Sequence, residues 1–479
     1  MEVMPIDISS SGPAYNLEAA IDHIGIGVFQ WRLVIILGFC TMSDAIEMML
    51  LAILGPALTC DWNITQWQVA TLTTVIITSA VLNTTFGILT AFSPSYHWVV
   101  LARVCVGFAL SGAAQGATLM LEFLPSTYRA TIVIVIELFW SLGAILEYLM
   151  AMYVIPPYGW RTLTILSALP ISIVAVCMYF IPESPRYYLA SGNADKAEMI
   201  LKTVALTNKR ALPPGKILDG HIKEECGSFS QLFHFNYKRT TFLLTFMWIT
   251  VAMSYYGLIL INTSIFTMNV DVPSTSKENC KMLTDNDYKS LILTTFGEMA
   301  GIPLLLLLLS KFGRRAVSVI NFTSASICFS LLFVARNTHW AINTITFLAR
   351  MFINSQFSLL YLYTMEVYPT VVRAIAVGSA SSMARVGAMI TPFLAQVLIK
   401  HTFIGTILVY TIATGMAAFC AFLLPIETRG RELKQSPIDI PSEQSSPSAL
   451  DQKLNVLESV DGGFVNKTYS SMDHIDVKE

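Results

Sequence analysis

Charge is what this sequence has least of: only 13% of its 479 residues are Asp, Glu, Lys or Arg, where a soluble domain carries about a quarter. The net charge of −2 gives no reason to expect a nucleic-acid partner or an acidic one. The eight cysteines form no Cys-x-x-Cys pair and no Cys/His cluster at zinc spacing, so no metal site is expected. Most of them, such as Cys40, Cys105, Cys177, Cys328 and Cys420, lie inside apolar runs and read as packing residues. The glycines at Gly107 and Gly112 lack the Lys-Ser/Thr that completes a phosphate loop, and no other nucleotide signature occurs. Neither an ATP-driven pump nor an enzyme is therefore expected, and no cofactor. The polar first thirty residues lack the basic leader of a cleavable signal peptide.

What fills the space left by charge is apolar length. Hydrophobic residues make up 54% of the chain. They gather into eleven runs, at 32–57, 67–93, 98–121, 131–154, 161–181, 240–262, 288–310, 316–335, 340–363, 374–399 and 403–424. Runs of roughly twenty such residues are membrane-spanning helices, so the fold class is all-α and polytopic. The polar stretch 182–239 carries nine Lys and Arg and belongs on the cytoplasmic side. Smaller basic turns at Arg129, Lys311 to Arg315, Arg373 and Arg429 to Arg431 alternate consistently with it. This divides the chain into a polar tail (1–30), a first bundle (31–181), the central loop (182–239), a second bundle (240–432) and a disordered tail (433–479) rich in Ser, Pro and acids. Within the first tail, "LEAAIDHIGIGVFQW" predicts a short amphipathic helix on the membrane surface.

The two bundles repeat each other. "EFLPSTYRA" (122–130) answers "EVYPTVVRA" (366–374), "PESPR" (182–186) answers "PIETRGR" (425–431), and Gly143 answers Gly387. Leu-Ala-Arg recurs at Leu101 and Leu348. Parallel repeats of this kind mark one large class of secondary transporters.

With "KFGRR" and Arg103–Gly107, these motifs resemble the major facilitator superfamily, near its sugar-porter and organic-ion branch. "DAIEMMLLAILGPALTCDW", "MEVYPTVVRAIAVGSASSMARVGAMITPF" and "LPIETRGREL" look more like the synaptic-vesicle-two-related (SVOP-like) transporters. The similarity covers roughly residues 17–433 and implies two helical bundles rocking about a central substrate site. It also implies a coupling role for Arg103. One motif of that family is absent: the G-x-x-x-D-[RK]-x-G-R-[RK] loop between helices two and three. No Lys or Arg occurs from Leu33 to Ala102. About two dozen residues of a two-helix hairpin are missing relative to the pattern.

Residues 67–93 would make roughly 40 Å of helix, enough for one tilted crossing but not two. Eleven spans are thus expected, which puts the N-terminus outside. A re-entrant segment that keeps it inside is the alternative.

Ionisable residues inside spans cost several kcal/mol unless paired or wet. Asp44 and Glu47, three apart on one helix, with Glu137, Glu147 and Glu298, outnumber Arg103, Arg350 and Arg385. They predict either packing pairs or an acidic cavity suited to an organic cation or to proton coupling. Tyr255 and Tyr256 stand mid-span, for a cation or for packing. Near the cytoplasmic face, Glu122, Arg129, Glu183 and Arg186 of the first half, and Gly313, Arg314, Arg315, Glu366, Arg373, Glu427 and Arg429 of the second, are candidates for a gate between the halves. The other reading is simple anchoring of the helix ends. The small-residue run 107–117 permits close helix contact. The sequons at Asn63, Asn262 and Asn466 lie too near the membrane or on the wrong side for glycosylation.

The expected function is secondary transport of a small organic solute, an organic ion in this reading, with possible proton coupling. The bilayer is its solvent, and both plasma membrane and vesicle are open. The missing hairpin leaves a rival: a transporter-like receptor or scaffold, or a defective isoform. It also predicts poor transport, or none, by the chain as it stands.

Overall fold

The computed structural model describes residues 14–62, 80–107, 119–120, 122–178, 181–190, 193–217, 229–234, 237–268, 283–335, 338–368 and 370–429. Expectations for 63–79, the small-residue run beyond Gly107 (108–117), the sequons Asn63 and Asn466, and the C-terminal tail lie outside these residues.

The helices in chain order are α1 (Leu17–Ile24), α2 (Val28–Trp62), α3 (Ala80–Ala91), α4 (Tyr96–Gly107), α5 (Arg129–Met178), α6 (Pro185–Ala190) and α7 (Ala194–Thr207). The second half supplies α8 (Lys238–Met268), α9 (Asp285–Lys311), α10 (Arg314–Val334), α11 (His339–Val367), α12 (Thr370–Pro392) and α13 (Phe403–Phe422). Among the described residues, seven helical stretches are long and apolar enough to cross a membrane. Two of their breaks have local causes. α5 turns back at Gly159, whose φ of 77° only glycine adopts without strain, just after Pro156 and Pro157. α12 continues through the π-helical turn Phe393–Leu398 that follows Pro392.

Close approach fixes the helix pairs. A β-carbon on Gly143 would collide with the Met42 carbonyl of α2, and one on Gly387 with the Ile249 carbonyl of α8. The repeated glycines therefore do the same work in each half: they let α5 meet α2 and α12 meet α8 backbone to backbone. A buried apolar core runs continuously from Met49, Ile53, Tyr148 and Ile155 of the first half into Tyr255, Leu258, Ile353 and Tyr410 of the second.

The amphipathic segment forms α1, but its apolar face meets protein rather than lipid. Asn16 caps it, accepting from the Glu18 N–H at 3.4 Å, and Gly25 ends it at φ 64°. Leu17, Ala20, Ile21 and Ile24 are buried in one cluster with Leu201, Val204 and Ala205 of α7 and with Phe123 and Leu124. β1 (Ala14–Tyr15) pairs in parallel with β2 (Lys216–Ile217) of the central loop. The Asn208 amide joins them again, donating to the Gln30 side chain at 2.7 Å and accepting from the Phe29 N–H at 2.9 Å. The N-terminal segment thus sits on the same face as the central loop. An odd number of crossings would have placed it opposite, so the expectation of an outside N-terminus does not hold. The charge rule was too weak to foresee this, because Arg32 is the sole basic residue before the first span.

Candidate functional site

The in-span charges resolve into three groups. In the first half, Arg103 of α4 is ion-paired and hydrogen-bonded to Glu47 of α2, both essentially unexposed. Glu147 of α5, fully buried, lies within electrostatic reach of Arg103. Its two carboxylate oxygens accept from the Ser167 hydroxyl at 3.1 and 2.9 Å. Ser167 follows the Gly159 turn, so the kink is what folds α5 back to bring it there. Arg103 Nε and Nη2 are buried with no hydrogen-bond partner. One buried guanidinium therefore stands beside two buried carboxyls.

The second group is charge-balanced and crosses the halves. Arg350 of α11 donates to Glu298 Oε1 of α9 through Nε at 2.9 Å and Nη2 at 2.5 Å. Tyr255 of α8 donates its hydroxyl to the same carboxylate at 3.1 Å. Trp140 of α5 donates its indole N–H to the Tyr255 oxygen at 2.5 Å, and Ser141 reaches Glu298 at 3.4 Å. Four helices, one from the first half and three from the second, share one buried acid. A buried pair of this kind holds only when its remaining lone pairs are satisfied, and here they are.

The third group has no such closure. Asp44, half-buried on α2, has an oxygen shielded from solvent without a partner. It lies in the field of Arg385 on α12, which among the described residues donates to its own helix at Ser381 (3.1 Å to the carbonyl, 2.8 Å to the hydroxyl). Tyr256 stands among Tyr361, Arg385, Asp44 and Glu137. Asp44 and Glu47 were expected to share a face and a cavity. They diverge instead: Glu47 turns into the first half toward Arg103, and Asp44 across to the second half. Tyr255 and Tyr256 part in the same way, one into the buried network and one into this open group.

The gate residues fall into two clusters. Glu366 accepts from Arg314 through Nε at 3.1 Å and Nη2 at 3.0 Å, and from the Thr428 hydroxyl. Glu427 accepts the backbone N–H groups of Arg314 (2.8 Å) and Arg315 (3.1 Å), closing the N-terminus of α10 where a carboxylate is favoured. Gly313 leaves room for that carboxylate, since a β-carbon there would collide with it. Arg429 donates to the carbonyls of Lys311 (2.6 Å) and Ser310 (3.0 Å), and Arg315 to that of Phe422. All of these contacts lie within the second half. They join the helix ends of that half to one another. In the first half, Glu18 of α1 takes the equivalent place, accepting from Arg186 at 2.8 Å and Arg129 at 3.4 Å. Glu122, the counterpart of Glu366, has a buried oxygen with no partner, and Glu183 is exposed.

Three participants escaped the sequence reading. Arg350 was visible as an in-span arginine, and its Leu-Ala-Arg match to Arg103 marked it. Ser167 and Trp140 carry no local signal. Glu18 could not be found at all, because its partners lie 111 and 168 residues away.

A family model described as "Sugar (and other) transporter" matches residues 71–439. Synaptic vesicle 2-related protein of Xenopus laevis is 40% identical over 458 residues, covering 88% of this chain and 83% of that one. Its Bos taurus counterpart is 39% identical over 456 residues, with the same coverage. Among solved structures, the inward-open xylose transporter XylE from E. coli aligns with a TM-score of 0.61 at 14% identity, over 84% of this chain and 98% of that one. A D-xylose-proton symporter aligns with a TM-score of 0.52 at 16% identity, over 87% and 97%.

Proposed function

The chain belongs to the sugar (and other) transporter family of the major facilitator superfamily, and from that premise we propose that it moves a small organic ion by proton-coupled alternating access. The observation that carries the reading is the ledger of buried charge. With Arg103 paired to Glu47 and Arg350 to Glu298, three further in-span carboxyls (Asp44, Glu137 and Glu147) outnumber the one remaining in-span arginine, Arg385, among the described residues. A low-dielectric interior opposes such an excess. It is relieved by a proton, by a bound cation, or by both.

The two roles divide by geometry. Glu147 shares Arg103 with Glu47 and is sealed from solvent, so this trio suits the proton. Uptake of one proton makes it neutral, and release leaves it with a net negative charge. Asp44, Glu137, Tyr256 and Tyr361 remain for the solute, with carboxylates and ring faces that suit an organic cation. Asp44 and Glu137 come from the first half, and Tyr256, Tyr361 and Arg385 from the second. A solute lodged there bridges the halves, so that binding biases the rocking equilibrium by its differential contacts in the two states. The relatives' names support transport in general, and the proton symporter among the fold neighbours supports the coupling.

The test is uptake into proteoliposomes of a panel of organic cations and anions, with and without a pH gradient. Gradient-dependent accumulation of a cation supports the reading; gradient-independent uptake, or a preference for anions, overturns its finer part. A second reading, a transporter-like receptor or scaffold, draws on one observation, the absence of any Lys or Arg from Leu33 to Ala102. Binding of a solute without uptake would favour it.

A further inference from the structure

We propose that Arg129, Arg186 and Arg373 form a binding site for a phosphate-bearing anion that ties the two halves together on the face of the central loop. Arg129 opens α5, Arg186 lies in α6, and Arg373 sits in the first turn of α12. The first two belong to one half and the third to the other.

Only one carboxylate is engaged among them. Arg186 Nη2 and Arg129 Nη1 both donate to the same oxygen of Glu18, Oε1. Arg373 donates to none through two of its nitrogens: Nε and Nη2 are buried and have no partner. Arg186 Nε is in the same condition. Nε and Nη2 are the two donors on one edge of a guanidinium, the fork that grips two oxygens of a phosphate. Buried donors without acceptors are rare and costly. Two of the three are on Arg373 and one is on Arg186, and the two guanidinium groups lie within electrostatic reach of each other.

The charge balance agrees. Burial, together with the charges of Arg186 and Arg129, holds the Arg373 guanidinium below its usual value, and Glu18 alone acts in the other direction. Three cations beside one carboxylate leave room for a dianion, which a single further carboxylate would not fill. In the second half the Arg314 fork is already closed: Glu366 accepts from both of its donors, Nε and Nη2, and from the Thr428 hydroxyl. The open donors are therefore those of Arg186 and Arg373, one from each half, while the sequence of the first half lacks the basic hairpin of the family pattern. The inference does not depend on which solute is carried. A phosphate group here has two sources, a phospholipid headgroup of the adjoining leaflet or a soluble phosphate.

The experiment is thermal unfolding of the full chain in lipid-free detergent, titrated with inorganic phosphate or pyrophosphate against chloride at matched ionic strength. Phosphate should raise the Tm in a saturable way. Arg373→Gln should weaken the apparent affinity by about tenfold or more, as expected for loss of a charge-assisted fork. Arg373→Lys, which keeps charge but not the fork and guards against simple misfolding, should lose most of the response as well. Glu18→Gln should tighten binding, because it removes the competing carboxylate. Lys202→Gln, an exposed change on α7, should respond as the parent does. Nanodiscs of phosphatidylcholine with and without phosphatidic acid separate the sources. Stabilisation by phosphatidic acid that abolishes the soluble-phosphate response identifies the lipid headgroup; equal soluble-phosphate responses in both identify the free anion. A phosphate response no larger than that of chloride in detergent and nanodiscs alike, or a parental response in Arg373→Gln, overturns the proposal.

Discussion

Arg103 and Arg350 occupy matching places in the two halves, each the third residue of Leu-Ala-Arg, and each is neutralised by a glutamate from a different helix. The match ends there. Arg103 takes Glu47 from the first helix of its half and keeps a second acid, Glu147, within reach. Arg350 takes Glu298 from the second helix of its half, and tyrosine and tryptophan hydrogen bonds complete that network. The repeat thus supplies one scaffold with two uses, an unbalanced site in the first half and a balanced one in the second.

The balanced pair should behave as a structural unit. Glu298→Gln leaves Arg350, about 1% exposed, as an unpaired buried charge, a change that typically costs about 3–5 kcal/mol. The Tm of the purified protein should fall sharply. Glu298→Gln combined with Arg350→Met should recover most of the loss, because the uncompensated charge is gone. Equal destabilisation of single and double variants would deny the pairing its role.

Helix contact at the repeated glycines gives a second expectation. Gly143→Ala or Gly387→Ala drives a β-carbon into a facing carbonyl, and overpacking of this kind costs about 1–3 kcal/mol. Gly378→Ala has nothing within 4 Å to meet, and should be neutral or slightly stabilising as a helix substitution. Thermal unfolding of the three variants distinguishes the positions. Equal effects at Gly143 and Gly378 would mean that close approach does not set the α2–α5 contact.

The docking of α1 should depend on pH in one direction only. Burial raises the Glu18 value, but the hydrogen bond and charge of Arg186, with those of Arg129, outweigh it and hold the carboxyl below its ordinary 4.5. A depressed value means that docking favours the ionised form. That contribution is fully present above the ordinary value and is lost as pH falls through the lower, folded one. Hydrogen exchange of residues 17–24 should be steady from about pH 8 to about pH 5, after allowing for intrinsic rates, and rise in stronger acid. Glu18→Gln should show raised exchange at neutral pH and little further change in acid. A transition centred near neutrality would assign the docking to another group.

Much of the architecture was legible because the signals are local or repeated. Apolar run length marked the long helices, and seven helical stretches among the described residues are long and apolar enough to cross a membrane; the E-x-x-P-[ST]-x-x-R-A pair marked the repeat. The position of the N-terminus was not legible, since it rests on Asn208 meeting Gln30 and on Glu18 meeting Arg186. Those contacts join segments more than 160 residues apart. The candidate acids were visible for the opposite reason, because any carboxylate in an apolar run stands out. Which of them pair was hidden. Asp44 and Glu47 are three residues apart, and only the approach of α4 and α12 from different sides sends them to Arg103 and to the Arg385 side. Likewise the second-half gate residues close on one another, because Gly313 admits Glu427 to the start of α10.

The most direct measurement is uptake of organic cations into proteoliposomes under an imposed inward proton gradient. It would compare the chain, Glu47→Gln, Glu147→Gln, and a form completed after Ala80 with a G-x-x-x-D-R-x-G-R-R hairpin and its two half-helices. The chain should accumulate a cation slowly and only while the gradient lasts. The hairpin form should do so faster, since it supplies the basic loop that the sequence lacks between Leu33 and Ala102. Both glutamine variants should reach the membrane folded and lose the gradient dependence. Gradient-driven uptake that survives in both, or no uptake by the parent and the completed form alike, would contradict proton-coupled transport through the Glu47–Arg103–Glu147 group.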